Sequence, residues 1–399
     1  MSVLRGVGAA CAVLAATALA GCSAGDGGGA GEGDTLIVYV SAPLRGPSGV
    51  HGRAIRDGAK LALEDAGGRA GEVEIEAAFL DDTEGRGPAA GWSPGAVADN
   101  ARGATSDSSA VAYIGELESG ATRISLPITN EARMLQVSPA STAVDLVSLF
   151  PGSDEVPELV QPTGERSFGR VIPDDQAQAA AGAAWARRLG LRNAVAVSDG
   201  SRFGKEVAGE FVDDAEAIGV SVLRLRTVRL SLGARSRDLV YYGGAAAGTR
   251  SLLGRLARRA PSATLMGTDA LLLDPSFVRE ARPIESRLRL TASAQDPEQL
   301  PPPEGPAFVD RYRDAYGREP DPYAAYGYEA MAVVLDSIER AEGTLDRSAV
   351  IDAFLDTTDR ASVLGTYSID EVGDTTLDRL AGYGVRDGRP AFAAALRAP

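Results

Sequence analysis

Short apolar runs along the chain alternate with longer segments whose apolar residues recur every three or four positions. Leu36 to Val40, Glu74 to Leu80, Val111 to Gly115 and Met134 to Val137 read as strands, buried on both faces where the run is unbroken. Between them, Gly52 to Ala66 carries Ile55, Ala59, Ala62 and Ala66 on one helical face. Ala96 to Ala104 is a weaker helix, and Gly120 to Glu131 brings Ile124, Ile128 and Ala132 to helical spacing. Strand and helix alternating in units this short predict a parallel sheet. An irregular patch rich in Pro and Gly, Leu149 to Ser167, interrupts the series. The alternation then restarts with helix Gln176 to Leu189, strand Ala194 to Val197, helix Lys205 to Ile218 and strand Ser221 to Leu225. Strand Leu239 to Tyr242, helix Gly248 to Arg259, and strands Ala263 to Met266 and Leu288 to Thr291 continue it. Two such series split by a loop-rich junction predict two similar lobes. Helices follow at Ala307 to Tyr316, Ala324 to Glu342 and Ser348 to Leu355. Two short strands, Thr366 to Ile369 and Tyr383 to Arg386, are expected to join through a turn at Val372-Gly373-Asp374.

The chemistry concentrates between Val111 and Ala143. Ser119 opens a helix just beyond one strand, and Ser138-Pro139-Ala140-Ser141-Thr142 closes the next. Hydroxyls therefore sit at the carboxyl ends of adjacent strands, the edge where open α/β sheets bind ligands. A helix start also favours an anion, so the pattern suits a small carboxylate. The competing reading is purely local: Ser119 caps its helix and Ser141 and Thr142 form a turn.

The amino end changes the picture. Arg5 precedes a 15-residue apolar run, Gly6 to Ala20, too short to span a bilayer, and Leu19-Ala20-Gly21-Cys22 follows. This is the pattern of a lipoprotein signal peptide, residues 1–21, with lipid on Cys22. Residues 22–34 form a glycine-rich tether with a reach of roughly 18 Å. The expected location is extracytoplasmic, anchored to the membrane through Cys22.

Composition mostly excludes. The chain of 399 residues has 44% hydrophobic content, which supports two full cores. Forty Lys and Arg against 55 Asp and Glu give a net charge of −15, which argues against nucleic acid. Cys11 and Cys22 lie in the leader region and His51 is the single histidine, so no thiolate or histidine metal site and no cofactor are expected. Gly91-Trp92-Ser93-Pro94-Gly95 matches the nucleophile elbow of hydrolases, but Pro94 follows the serine directly and no histidine lies downstream. No nucleotide-binding glycine motif follows residue 34, and no enzymatic activity is expected.

Gly46-Pro47, Asp81-Asp82, Tyr113-Ile114-Gly115 with Ser119, and Ser138 to Thr142 recur in an order that resembles the leucine/isoleucine/valine-binding proteins of ABC importers. Val171-Ile172-Pro173-Asp174-Asp175-Gln176, Phe203-Gly204, Val240 to Gly244, Met266-Gly267 and Gly365 to Asp374 extend the resemblance over about Thr35 to Gly388. It implies the type I periplasmic-binding-protein fold: α/β, two doubly wound parallel-sheet lobes joined by three crossover segments, near Gly169 to Val171, Thr291 to Ala294 and Gly365 to Ile369. The lobes would comprise residues 35–168 plus 294–365 and residues 169–293 plus 366–399.

The resemblance further implies that Ser119 and Thr142, within the Ser141-Thr142 turn, bind the α-carboxylate of an amino acid, branched-chain or related aliphatic. The carbonyl of Ala140 and the carboxylate of Asp269 would take its ammonium, and Phe203 would face its side chain. His51 and Ala245 stand where the family often lines the pocket with larger or aromatic groups. From the residues alone, Asp269 is equally a turn-former after a strand, His51 a helix cap, and Tyr241 and Tyr242 strand packing. Glu116 and Glu118 add negative charge beside the serine. The expected partners are an ABC permease with its ATPase. The alternative is a ligand sensor on the same fold that reports to a signalling protein.

Overall fold

The computed structural model describes residues 35–149, 153–225, 239–246, 249, 252–254, 258 and 262–398. The leader, Cys22 and the tether, as well as most of the expected helix Gly248 to Arg259, lie outside the described residues.

The first lobe opens with β1 (Leu36–Ala42), helix α1 (Gly49–Asp65) and a hairpin of β2 (Arg69–Ala70) and β3 (Val73–Asp81). A two-residue pair, β4 (Thr83–Glu84) and β5 (Gly91–Trp92), leads into α2 (Pro94–Ser106). Then come β6 (Ala110–Ile114), α3 (Ser119–Glu131), β7 (Leu135–Ser138) and β8 (Phe168–Arg170). Sheet order is β2-β3-β1-β6-β7-β8, parallel except for the β2 hairpin.

After Arg170 the chain enters the second lobe with α4 (Asp175–Arg188), β9 (Asn193–Ser198), α5 (Arg202–Ala217) and β10 (Ser221–Leu225). β11 (Leu239–Gly243), β12 (Thr264–Gly267), α6 (Asp269–Leu272), α7 (Pro275–Glu280) and β13 (Leu288–Ala292) follow. The chain then returns to the first core through α8 (Glu304–Tyr316), α9 (Pro322–Arg340) and α10 (Arg347–Leu355). A small ladder, β14 (Arg360–Ser362) with β15 (Gly365–Tyr367), precedes β16 (Arg379–Arg386) and β17 (Arg389–Arg397), which complete the second sheet. Its order is β10-β9-β11-β12-β13-β16-β17.

Both sheets carry helices on two faces. In the second, Tyr241 packs with Phe211 and Trp185 on one side while Tyr242 packs with Val240 and Phe277 on the other, the two-residue period of a strand. These tyrosines are strand packing. In the first lobe α1 crosses α9 so closely that a methyl on Gly58 would meet the Ala324 carbonyl at 1.9 Å, and one on Gly327 the Ile55 carbonyl at 2.2 Å.

The structure departs from expectation at the carboxyl end. The strands foreseen at Thr366 to Ile369 and Tyr383 to Arg386 do not pair with each other. β15 pairs with β14, and β16 runs antiparallel to both β13 and β17. β17 escaped because its alanine-rich sequence is a largely exposed edge with Pro390 at its start, so it lacks the apolar run of a buried strand. The turn at Val372 to Asp374 instead packs on the first lobe: Gly373 has φ +96° and its carbonyl accepts from the Arg170 N–H at 3.1 Å. β5 precedes Ser93 and α2 follows it, and the Ser93 hydroxyl accepts from Ala96 N at 3.1 Å as a helix cap. Among the described residues no helix is long and apolar enough to cross a membrane.

Candidate functional site

One wall forms where β6 and β7 end. Ser119 is the first residue of α3, not its cap; Glu118 holds the cap position. The Ser119 hydroxyl oxygen instead accepts the backbone N–H of Thr142 and of Ala143, each at 3.2 Å. The two stretches singled out from sequence are therefore joined. With both oxygen lone pairs engaged, the Ser119 proton is left to donate, and the two accepted bonds polarise it. Ser141 plays a different part. It is fully buried, and its hydroxyl bonds Thr122 at 2.7 Å and the Glu116 carbonyl at 3.1 Å, so it fixes the turn. Ala140 is also buried in this turn.

Arg170 holds the turn from behind. Fully buried, its guanidinium donates to the carbonyls of Ser141 (3.2 Å) and Ala143 (2.8 Å) and grips Asp374 by two nitrogens, one at 2.9 Å. One side chain thus ties the end of the first sheet, the crossover after β8 and the return toward β16.

The second wall begins at α4. Asp174 caps that helix, its carboxylate accepting from Ala177 N at 2.7 Å. Asp175 points elsewhere: its N–H donates to the Thr142 carbonyl at 2.9 Å, and the Thr142 hydroxyl bonds its carboxylate. Thr142 is therefore where the lobes touch. Asp269, at the start of α6, accepts from the Gln178 amide and from the backbone N–H groups of Ser293 and Ala270. Asp175 and Asp269 face one another. Burial, then the charge of Asp269, pushes Asp175 up to about 7; burial pushes Asp269 up to about 6. Around them several sealed polar atoms find no hydrogen-bond partner among the described residues: an Asp175 oxygen, the Gln178 carbonyl oxygen, and the hydroxyls of Tyr241, Thr268 and Ser293. Buried polar atoms are normally satisfied, and the unmet donors and acceptors gathered here can take hydrogen bonds from a polar group.

These residues follow one another across the cleft. Ser119 meets Thr142, Thr142 meets Asp175, and Asp175 faces Asp269. Tyr323 lies near Asp269, and His51 lies edge-on to Tyr323 with ring centroids 5.5 Å apart. His51 sits inside the first turn of α1 and does not cap it; its Nδ1 pairs with Asp321 at 3.0 Å. With Tyr323, Leu272 and Tyr383 it lines a cavity of about 310 Å³ between the lobes. A larger space of about 920 Å³ lies between Ser48 and Glu118 on the first lobe and Ala270 and Leu273 on the second.

Phe203 and Ala245 make their contacts elsewhere. Phe203 packs at the edge of the core under α5. Ala245 is exposed on a loop whose N–H is held by Asp199 at 3.0 Å. Sequence reasoning missed Asp175, although two consecutive acids at a helix start, where one suffices as a cap, were its signal. It also missed Arg202, which crosses the lobes to Asp145 at 3.0 Å beside the partner already supplied by Arg123. Among the described residues no cluster of three His, Cys, Asp or Glu is arranged to hold a metal ion.

The family model described as periplasmic binding protein matches residues 39–250 and 253–386. The Leu/Ile/Val-binding protein homolog 1 of Brucella melitensis is 24% identical over 363 residues, spanning 88% of this chain and 90% of that protein. The crystal structure of a leucine-binding protein, LivK, from Thermotoga maritima superposes with a TM-score of 0.69 at 24% identity, covering 91% of this chain and 99% of that one. LivJ of Streptococcus pneumoniae, solved in complex with isoleucine, gives 0.69 at 18% identity, covering 92% and 100%.

Proposed function

The chain belongs to the periplasmic binding protein family, a family of extracytoplasmic solute-binding proteins and not of enzymes, and we propose that its own solute is a small amino acid held in the cleft between the lobes. The observation that carries this reading is the Thr142–Asp175 junction. On one side stands a serine hydroxyl with its proton free, on the other two buried carboxylates with unpartnered polar atoms around them. A zwitterion matches both sides: its carboxylate accepts from Ser119, and its ammonium lies between Asp175 and Asp269. Stripped of water, each end needs a charge-assisted hydrogen bond. The relatives named for leucine, isoleucine and valine support an amino acid as the ligand class.

The lobes of this reading are residues 35–168 plus 294–365 and residues 169–293 plus 366–399. Ligand bridging them favours the closed arrangement, which a permease of the ABC type then engages. Residues 1–21 act as a signal peptide, and Cys22 carries the lipid that holds the protein at the membrane. Release of a Cys22→Ala variant into the medium is the outcome expected for the anchor. For the ligand, a thermal-shift screen of the mature protein against the common amino acids should raise Tm with at least one of them. No shift with any amino acid, together with a shift by a sugar or peptide, overturns the reading.

A further inference from the structure

The larger interlobe cavity has an unusual wall. Glu118 directly precedes Ser119, and Ala270 directly follows Asp269, so this space continues outward from the two anchor points. One oxygen of Glu118 is sealed from solvent with no donor among the described residues, while its carboxylate takes the Ser48 hydroxyl. Behind it lie Asp82 and Glu116, both fully buried. Glu116 accepts from the Tyr113 hydroxyl at 2.6 Å, but its other oxygen and both oxygens of Asp82 meet no N–H or hydroxyl. The two carboxyls are close neighbours, and the charges of Glu116 and Glu118 both act on Asp82. Burial pushes Asp82 up to about 9 and Glu116 up to about 7; it also raises Glu118, which lines the cavity and is eased by the Ser48 hydroxyl.

No arginine or lysine among the described residues is ion-paired with any of the three. His51 lies near Glu118, but its Nδ1 is committed to Asp321 at 3.0 Å. Arg279 on the opposite wall is exposed and interacts with Asp274. Closing the cleft on an aliphatic side chain would strip water from Glu118 and offer methyl groups in return, the costly case of a desolvated charge without a partner. A cationic head group would supply the missing donors.

We propose, resting on the amino-acid reading above, that the ligand is an α-amino acid whose side chain ends in an ammonium or guanidinium group, and that Glu118 selects it. The branched-chain preference suggested by the relatives' names does not extend to a pocket with this wall. Titration calorimetry of the mature protein with L-lysine, L-arginine, L-leucine and L-norleucine tests it, norleucine having a lysine-like chain without the charge. L-lysine or L-arginine should bind at least tenfold more tightly than L-norleucine, and Glu118→Gln should bring that ratio close to one. Equal or tighter binding of norleucine or leucine, or an unchanged ratio in the variant, overturns the inference and leaves the amino-acid reading intact. Failure of every amino acid to bind the folded protein overturns the amino-acid reading, and the inference with it.

Discussion

Replacing Asp175 by asparagine separates a binding role from a structural one, because the two predict opposite signs. In the empty site Asp175 is buried, faces Asp269, and keeps one oxygen without a donor. Raising its carboxyl from 3.8 to about 7 means that holding the charge costs on the order of 4 kcal/mol well above neutrality. Asparagine has the same shape and retains the backbone bond to Thr142 without the charge. At pH 8 the ligand-free Asp175→Asn protein should therefore melt higher than the parent, by about 2 °C or more. At pH 5, where the aspartate is already protonated, the difference should vanish. Binding should move the other way. A hydrogen bond between charged groups contributes about 1.5–3 kcal/mol, so the variant should bind its amino acid roughly 10- to 100-fold more weakly. Differential scanning calorimetry at the two pH values and titration calorimetry at pH 8 give all three numbers. A variant that melts lower at pH 8 yet binds as well as the parent would refute the argument, since Asp175 would then be a structural residue.

Four further outcomes follow from the same geometry. Affinity for an amino acid should fall as pH drops through about 7 to 6, because protonation of Asp175 and Asp269 removes the ammonium's partners. Ligand-free stability should run the opposite way: these groups have folded-state values above their unfolded ones, so the folded chain binds more protons and loses stability as pH rises through that window. Asp374→Asn removes the bidentate partner of the buried Arg170 guanidinium, leaving Asp174 at 3.9 Å, and should destabilise the protein by about 3 kcal/mol in urea unfolding. Gly327→Ala forces a methyl toward the Ile55 carbonyl at the α1–α9 crossing and should cost about 1–3 kcal/mol by the same measurement, whereas the open Gly67, at a positive φ, marks a turn with no such close approach.

Among the described residues the alternating parallel-sheet fold was legible from Leu36 to Met266 because strands buried on both faces leave uninterrupted apolar runs. β17 left no such trace: an exposed edge of alanines reads as nothing in particular. Ser119 and Thr142 were found by their place at adjacent strand ends, and the structure joins them through the serine oxygen. What sequence does not carry is direction. In Asp174-Asp175 either residue can cap α4, and only the folded chain shows that Asp174 does so while Asp175 turns to the cleft. Ser141 and Thr142 are the same case, one hydroxyl spent inside the turn and the other meeting the second lobe. Arg170 is invisible for another reason. Its partners are the Ser141 and Ala143 carbonyls and Asp374, a residue more than two hundred positions away, and no local pattern links them.

A crystal structure of the mature protein grown with the amino acid that gives the largest thermal shift tests the central claim most directly. The account predicts the ligand carboxylate within hydrogen-bond distance of the Ser119 hydroxyl and its ammonium between Asp175 and Asp269, with both lobes in contact. Ligand density confined to one lobe, or seated in the cavity beside His51 with Asp175 and Asp269 untouched, would contradict it.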